Sequence, residues 1–287
     1  MAEVIKTISL GDPDYPGLLK EISDPPAKLS FRGELPTPEE VLIAVVGTRK
    51  ATSLGQKIAE EISKNLAESG LTVVSGLALG IDAAAHRGAI LGQGKTIAIL
   101  GGGVDKIYPA QNENLGQGIL EKHGAIISEY ETGTPPYKDN FLRRNRIIAG
   151  LSRAVVIVEA PARSGAISTA GFAGEYGRQV FVVPGPTNHP NYVGSHSLIR
   201  DGATLVTSAN DILEDLGIEK VPHRKLKAEN LNGDEKTIIN FLEGLGEPAT
   251  IDQIIELTKL EAQVVNETLA LLLIRNILKE TERGYSL

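Results

Sequence analysis

A doubly wound α/β fold with a mostly parallel sheet, followed by a small helical domain, is the architecture the sequence predicts. Three observations carry it. Short apolar runs alternate with longer helical patterns from residue 41 onward, the runs are continuous rather than alternating, and residues 234–287 show three helical patterns before a short hairpin signal. The expected strands are Leu42–Val46, Leu71–Ser75, Thr96–Leu100, Ala125–Glu129, Ala154–Glu159 and Val180–Pro184. Runs continuous in Val, Ile, Leu and Ala belong to strands covered on both faces. The segments between them, Gly55–Ser69, Asp82–Leu91, Asn112–Lys122, Asn140–Leu151 and Thr169–Gly177, are long enough for crossover helices. Repeated βαβ units follow, and with them a Rossmann-like core.

Along the chain, residues 1–40 hold Pro13, Pro16, Pro25, Pro26, Pro36 and Pro38, and read as a lead-in packed on the core with one short helix near Tyr15–Ile22. Residues 41–217 form the Rossmann-like domain. Residues 218–233 are polar and basic (Lys220, His223, Arg224, Lys225, Lys227) without apolar periodicity, and predict a linker. Residues 234–287 predict helices at Glu235–Leu242, Ile251–Leu257 and Glu261–Ile274, then Ile277–Thr281 and Gly284-Tyr-Ser. Three helices and a hairpin in this order suggest a winged-helix-like domain.

Composition narrows the chemistry. In 287 residues there is no Cys, and five dispersed His (86, 123, 189, 196, 223) lack i,i+4 pairing, so no disulfide, thiolate zinc site or metal is expected. No apolar run of spanning length and no signal pattern occurs, which predicts a soluble cytoplasmic protein with no membrane partner. The net charge of −7 argues against general attraction to nucleic acid, so the placement of the cations decides.

That placement is uneven. Lys138–Arg153 packs five bases (Lys138, Arg143, Arg144, Arg146, Arg153) against one acid, Asp139. Ile147, Ile148 and Leu151 recur at helical spacing, so Arg143, Arg144, Asn145 and Arg146 are expected on the first turns of a helix, where arginine forks suit phosphate oxygens. Small residues gather after the strands: Gly47-Thr48-Arg49, Ser75-Gly76 with Gly80, Gly101-Gly102-Gly103, and Ser164-Gly165. In an open parallel sheet these turns share one edge, where backbone N–H groups and helix N-termini bind anions. Arg49, beside the N-terminus of the next helix, completes a phosphate clamp. Tyr108, Tyr137 and Phe141 could stack bases, although core packing is at least as good an expectation for Phe141.

Other motifs fail. Gly94-Lys95-Thr96 enters a strand instead of leaving one, so it is no P-loop. Neither the Gly47 turn nor Gly101-Gly102-Gly103 has dinucleotide spacing, so NAD and FAD are disfavoured and no cofactor is expected. His86 reads as a packing residue, and Glu129 and Glu159 as strand-end acids that hold helix N-termini or arginines. Residues 234–287 carry ten acids and five bases, a net of −5. The would-be recognition helix has Glu261 and Glu267 and no base before Arg275, so a protein-docking or regulatory role is expected over duplex reading.

Taken in order, Gly47-Thr-Arg49, Ser75-Gly-Leu-Ala-Leu-Gly-Ile-Asp82 with His86, Thr96-Ile-Ala-Ile-Leu-Gly101, Tyr108-Pro109, Ser128-Glu129, Phe141-Leu-Arg-Arg-Asn-Arg-Ile-Ile-Ala-Gly-Leu-Ser152, Val158-Glu-Ala160, Ser164-Gly165, Val183-Pro-Gly185 and Leu198-Ile199 closely resemble the DprA (Smf) DNA-processing family. The match covers Leu10 to Leu216. The resemblance implies a non-enzymatic, sequence-independent single-stranded DNA binding protein that protects incoming strands and loads the RecA recombinase in natural transformation. It implies a homodimer, with the patch on Gly194–Leu205 and His196, Ile199 and Leu205 as its candidates. Arg49 and Lys138 fall on implied DNA contacts. Many members carry a helical SAM-like domain before the lead-in, whereas this sequence opens almost at Asp12-Pro-Asp-Tyr-Pro16, and its function is expected to be missing. Some members place a base where this chain has Ala110, so one phosphate contact is expected to be lost.

The main alternative is an enzyme resembling nucleotide phosphoribohydrolases. Those have a Gly-Gly-x-Gly-Thr turn where this chain has Ser164-Gly165-Ala-Ile-Ser-Thr169, with Glu175 at a suggestive distance. A second is an adaptor whose acidic C-terminal domain holds a partner.

Overall fold

The computed structural model describes residues 4–218, 232–245, 248–274, 277–281 and 283–286. The chain divides into two compact units, Met1–Lys220 and Val221–Leu287. The predicted linker at 218–233 lies almost wholly outside the described residues.

The first unit is a Rossmann-like α/β sandwich. Its strands are β1 (Lys6–Ser9), β2 (Lys28–Gly33), β3 (Leu42–Val46), β4 (Thr72–Ser75), β5 (Thr96–Ile99), β6 (Ala125–Ser128), β7 (Ala154–Ile157), β8 (Gln179–Val182) and β9 (Thr204–Leu205). They form one sheet in the order β1-β2-β6-β5-β4-β3-β7-β8-β9. From β6 to β9 all pairings are parallel; β3 sets Ala44 against Val74 of β4 on one side and Val155 of β7 on the other. The helices are α1 (Gly17–Lys20), α2 (Ser53–Glu68), α3 (Ile81–Leu91), α4 (Glu113–Glu121), α5 (Lys138–Leu151), α6 (Gly165–Glu175), α7 (Val193–Arg200) and α8 (Ala209–Asp215).

The pleat explains the continuous apolar runs. Ile43, Val45, Val73 and Val156 meet Ile62 and Leu66 of α2, Ala84 and Ala85 of α3, and Leu213 of α8. Leu42, Ala44, Val46, Val74 and Val155 point the other way, to Leu19 of α1, Ile147 and Ile148 of α5 and Ala170 of α6. Alternate residues thus serve opposite helical layers. Residues 1–40 depart from expectation: besides the short helix they add β1 and β2, antiparallel to each other and, through β2, to β6. Leu29 and Phe31 bury on one face of β2, a period-two signal overshadowed by the surrounding prolines. Two further helices, α7 and α8, and the edge strand β9 follow the last predicted strand.

The second unit holds α9 (Gly233–Leu245), α10 (Ile251–Thr258) and α11 (Ala262–Ile274), then β10 (Lys279–Thr281) and β11 (Gly284–Ser286), which pair antiparallel. Ala249 bridges to Tyr285. Thr250 caps α10 in a reciprocal box with Gln253. Ile238, Leu242, Ile254, Val265, Leu269 and Leu272 form its own core. Among the described residues no helix is long and apolar enough to cross a membrane.

Candidate nucleic-acid interface

The strand order reverses at β3: the chain runs outward through β4, β5 and β6, then returns to place β7 on the other side of β3. Loops leaving β3 and β7 therefore part at their carboxyl ends, where open α/β sheets take ligands. A cleft of about 550 Å³ lies there. Gly47, Thr48 and Arg49 line it from the loop after β3, and Pro161, Arg163, Ser164 and Gly165 from the loop after β7. Lys138, Phe141, Leu142, Arg144, Asn145 and Ile148 of α5 form a third wall, with Tyr108 and Pro136 above them.

Helix α5 starts at Lys138, which puts Arg143 and Arg144 on its second turn and Arg146 on its third. Lys138, Phe141, Leu142, Asn145 and Ile148 share one face at i, i+3, i+4, i+7 and i+10. Arg49 and Lys138 are exposed at the rim, as is Arg163, a cation that sequence reading passed over because it precedes α6 in a short loop with no motif of its own. The Arg49 guanidinium stands 4.9 Å from the centroid of Phe141, whose ring lies 5.7 Å from that of Tyr108. Phe141 is therefore covered by Arg49, whereas Tyr108 and Tyr137 are exposed, at 49% and 62%.

Several expected phosphate ligands are engaged inside the protein. Arg146 is 3% exposed; its fork donates to both oxygens of Glu129 at 2.9 Å and its Nε to Asp24 at 3.1 Å. Helical pitch turns it away from the cleft face. Arg144 reaches the cleft floor but is 3% exposed, donating to the Gly76 carbonyl at 2.8 Å and to the Ile99 carbonyl. Burial pulls its pKa down to about 10, against the attraction of Asp82. Asp82 is pushed up by burial, a shift opposed by Arg144 and by backbone N–H donors. Arg143 is exposed and its Nε lies 3.6 Å from Glu129, outside the cleft lining. Asn145 donates to the Gly165 carbonyl at 3.1 Å. Ser75 is fully buried and donates to the Val45 carbonyl, and the Gly76 N–H is taken by Asp82 at 3.2 Å. Both are turned inward, and neither Ser75 nor Gly76 lines the cleft. Gly80, with φ +80°, starts α3 outside the cleft lining. Gly47, Thr48, Arg49, Lys138, Arg144, Asn145, Ser164 and Gly165 are the predicted residues that the fold gathers around the cleft. The Ser164 hydroxyl, at the start of α6, is buried without a hydrogen-bond partner.

Glu159, expected as a strand-end acid, is fully buried below the Arg49 loop. Burial would raise its pKa, but hydrogen bonds from Thr52, Asn191 and Tyr192 prevail and hold it below the ordinary carboxylate range. Glu129 binds Arg146 in the other expected role. His86 is buried, with Nδ1 2.7 Å from the Thr96 hydroxyl and its pKa pulled down to about 3 by burial. Glu175 ends α6, about 15 Å along the helix from Gly165 at 1.5 Å per residue. It accepts from Ser23 at 2.8 Å and does not line the cleft. Of the residues expected at a subunit contact, Leu205 is exposed on the edge strand β9. His196 is half-buried, 3.1 Å from the Gly185 carbonyl, and Ile199 packs on the core.

Residues 6–217 match the family described as DNA recombination-mediator protein A. The chain is 43% identical over 241 residues to protein Smf of Synechocystis sp., covering 83% of this chain and 60% of that protein. It is 44% identical to protein Smf of Escherichia coli over 70% of this chain and 54% of that one. The chain thus spans little more than half the length of these relatives. Among solved structures, DNA processing protein A of Streptococcus pneumoniae superposes with a TM-score of 0.70 at 42% identity, over 74% of each chain. DNA processing protein A from Helicobacter pylori, described by its single-stranded DNA binding mode, gives a TM-score of 0.66 at 30% identity, over 75% of this chain and 96% of that one.

Proposed function

Since the chain belongs to the DNA recombination-mediator protein A family, we propose that its switch-point cleft binds single-stranded DNA without sequence preference. One observation carries the reading: Arg49, Lys138 and Arg163 are exposed cations on three separate segments around a single cleft that the exposed Tyr108 also lines, with the exposed Tyr137 next to Lys138 in sequence. Cations that track a backbone, with aromatic faces for bases, are what single-strand binding requires. Arg144 and Arg146 are bonded internally, which leaves Arg49, Lys138 and Arg163 as the exposed cations offered to phosphates. The expected role is the one the sequence resemblance implies: protection of DNA, delivery of RecA recombinase onto it, and action as a homodimer through α7 and β9 in the cytoplasm. The protein acts by binding, not by catalysis. The second unit serves as a winged-helix-like docking module.

Fluorescence anisotropy of a labelled single strand across a salt series tests the reading. Tight binding that weakens with salt is expected, with Arg49→Ala and Lys138→Ala each reducing the log–log slope by about 0.7. Absence of binding at low salt would overturn it. Release of a free base from nucleoside monophosphates would favour the enzyme instead, although Glu175 lies at the far end of α6 from Ser164.

A further inference from the structure

We propose that Asn191 and Glu159 are positioning residues for strand binding, fixing the loop that carries Arg49 so that its guanidinium stands over the cleft. This deepens the reading above and rests on Arg49 contacting the strand.

The loop between β3 and α2 is fastened on both sides of Arg49. Before it, the Thr48 N–H donates to the Glu159 carbonyl at 2.8 Å. After it, the Lys50 carbonyl accepts from the Asn191 side-chain amide at 2.9 Å, and the Thr52 N–H donates to the Glu159 carboxylate at 3.0 Å. The same Asn191 nitrogen also meets that carboxylate, at 2.8 Å. One NH₂ group thus uses both hydrogens to clip loop backbone to a buried acid. The amide and the loop it grips are 141 residues apart in sequence.

Neither residue lines the cleft, and each does what the cleft needs done. Glu159 also accepts from the Tyr192 hydroxyl at 3.1 Å, so its charge is surrounded by donors and does not move. Asn191 is itself held, because the next helix is stapled to the segment that follows β7: the Ala160 carbonyl accepts from the Gly194 and Ser195 N–H groups, and the Ala160 N–H donates to the Ser195 hydroxyl. Arg49 has a long, flexible side chain, and its stacking on Phe141 depends on where the loop backbone starts it. A donor pre-set in this way loses less freedom when a phosphate arrives.

The test is a double-mutant cycle on the intact chain, using single-strand anisotropy across a salt series with Arg49→Ala, Asn191→Ala and the double variant. Asn191→Ala should weaken binding about five-fold and flatten the salt slope towards that of Arg49→Ala, with the double variant binding no more weakly than Arg49→Ala alone. Asn191→Asp, which keeps the shape but presents an acceptor to Glu159 and to the Lys50 carbonyl, should lose at least as much. Full affinity in Asn191→Ala beside a weakened Arg49→Ala would overturn the inference, as would effects that multiply in the double variant. If Arg49→Ala binds like the parent chain, the strand-binding role of Arg49 fails first and the positioning role falls with it. A general loss of fold would lower affinity equally in both backgrounds, which the cycle separates from positioning.

Discussion

Arg144 and Gly76 are fitted to each other: the guanidinium donates to the Gly76 carbonyl at 2.8 Å, and a Cβ on residue 76 would stand 2.5 Å from the same guanidinium. The glycine after β4 makes room for a buried cation, not for a phosphate.

Gly76→Ala should therefore destabilise the protein by about 1–3 kcal/mol through overpacking. Arg144→Ala should cost more, about 3–5 kcal/mol, because it leaves the Gly76 and Ile99 carbonyls without their donor and takes the attraction of Arg144 away from buried Asp82. Urea unfolding of each variant checks both. An Arg144→Ala protein as stable as the parent would contradict the placement of this pair.

Arg49 and Arg146 should separate cleanly. Arg146 is bound by Glu129 and Asp24, so Arg146→Ala should lower stability by about 3 kcal/mol while leaving the salt dependence of strand binding unchanged in the folded fraction. Arg49→Ala should do the opposite, with a normal melting temperature and a slope lower by about 0.7. Thermal melts and salt titrations on the same preparations decide it.

Stacking makes a salt-independent prediction. Tyr137 is 62% exposed beside Lys138, and Tyr137→Ala should weaken single-strand binding by about 1–3 kcal/mol with no change in salt slope. Tyr137→Phe should bind like the parent. Equal binding by all three proteins would remove this ring from the interface.

His86 makes stability depend on pH. Its folded pKa lies near 3, below the ordinary 6.5, so the unfolded chain takes up a proton first as pH falls. The stability present above about pH 6.5 is lost progressively towards pH 3, roughly 2 kcal/mol of it by pH 5. Urea midpoints at pH 7.5 and 5 should fall less in His86→Gln than in the parent. Identical falls would show that His86 does not titrate differently on unfolding.

The parallel core was legible because its strands are apolar on both faces, with Leu42–Val46 marked to the residue, whereas the place of the reversal, at β3, depends on which strands pair and is not written in the runs themselves. In residues 1–40 the short helix was legible but the strands were not, since β2 signals itself with only Leu29 and Phe31 among prolines and polar neighbours. Within α5, a run of adjacent cations spreads around the helix at 3.6 residues per turn. Composition records the charges at 143, 144 and 146, but the partners that consume them, Glu129, Asp24 and two carbonyls, come from elsewhere in the sequence. Glu129 and Glu159 were recognised as acids awaiting partners, and the missing information was which partner lay within reach.

The cleft is assembled from segments near residues 49, 138 and 163, joined through β3, which pairs with both β4 and β7. During synthesis β1 to β6 and α5 leave the ribosome before the second wall of the cleft does. Until the ribosome has released β7 and the start of α6, Arg49 has no opposite wall. A nascent or truncated chain ending before Ser164 would lack the wall opposite Arg49, so on the proposed reading the cleft is completed only when the start of α6 has been made.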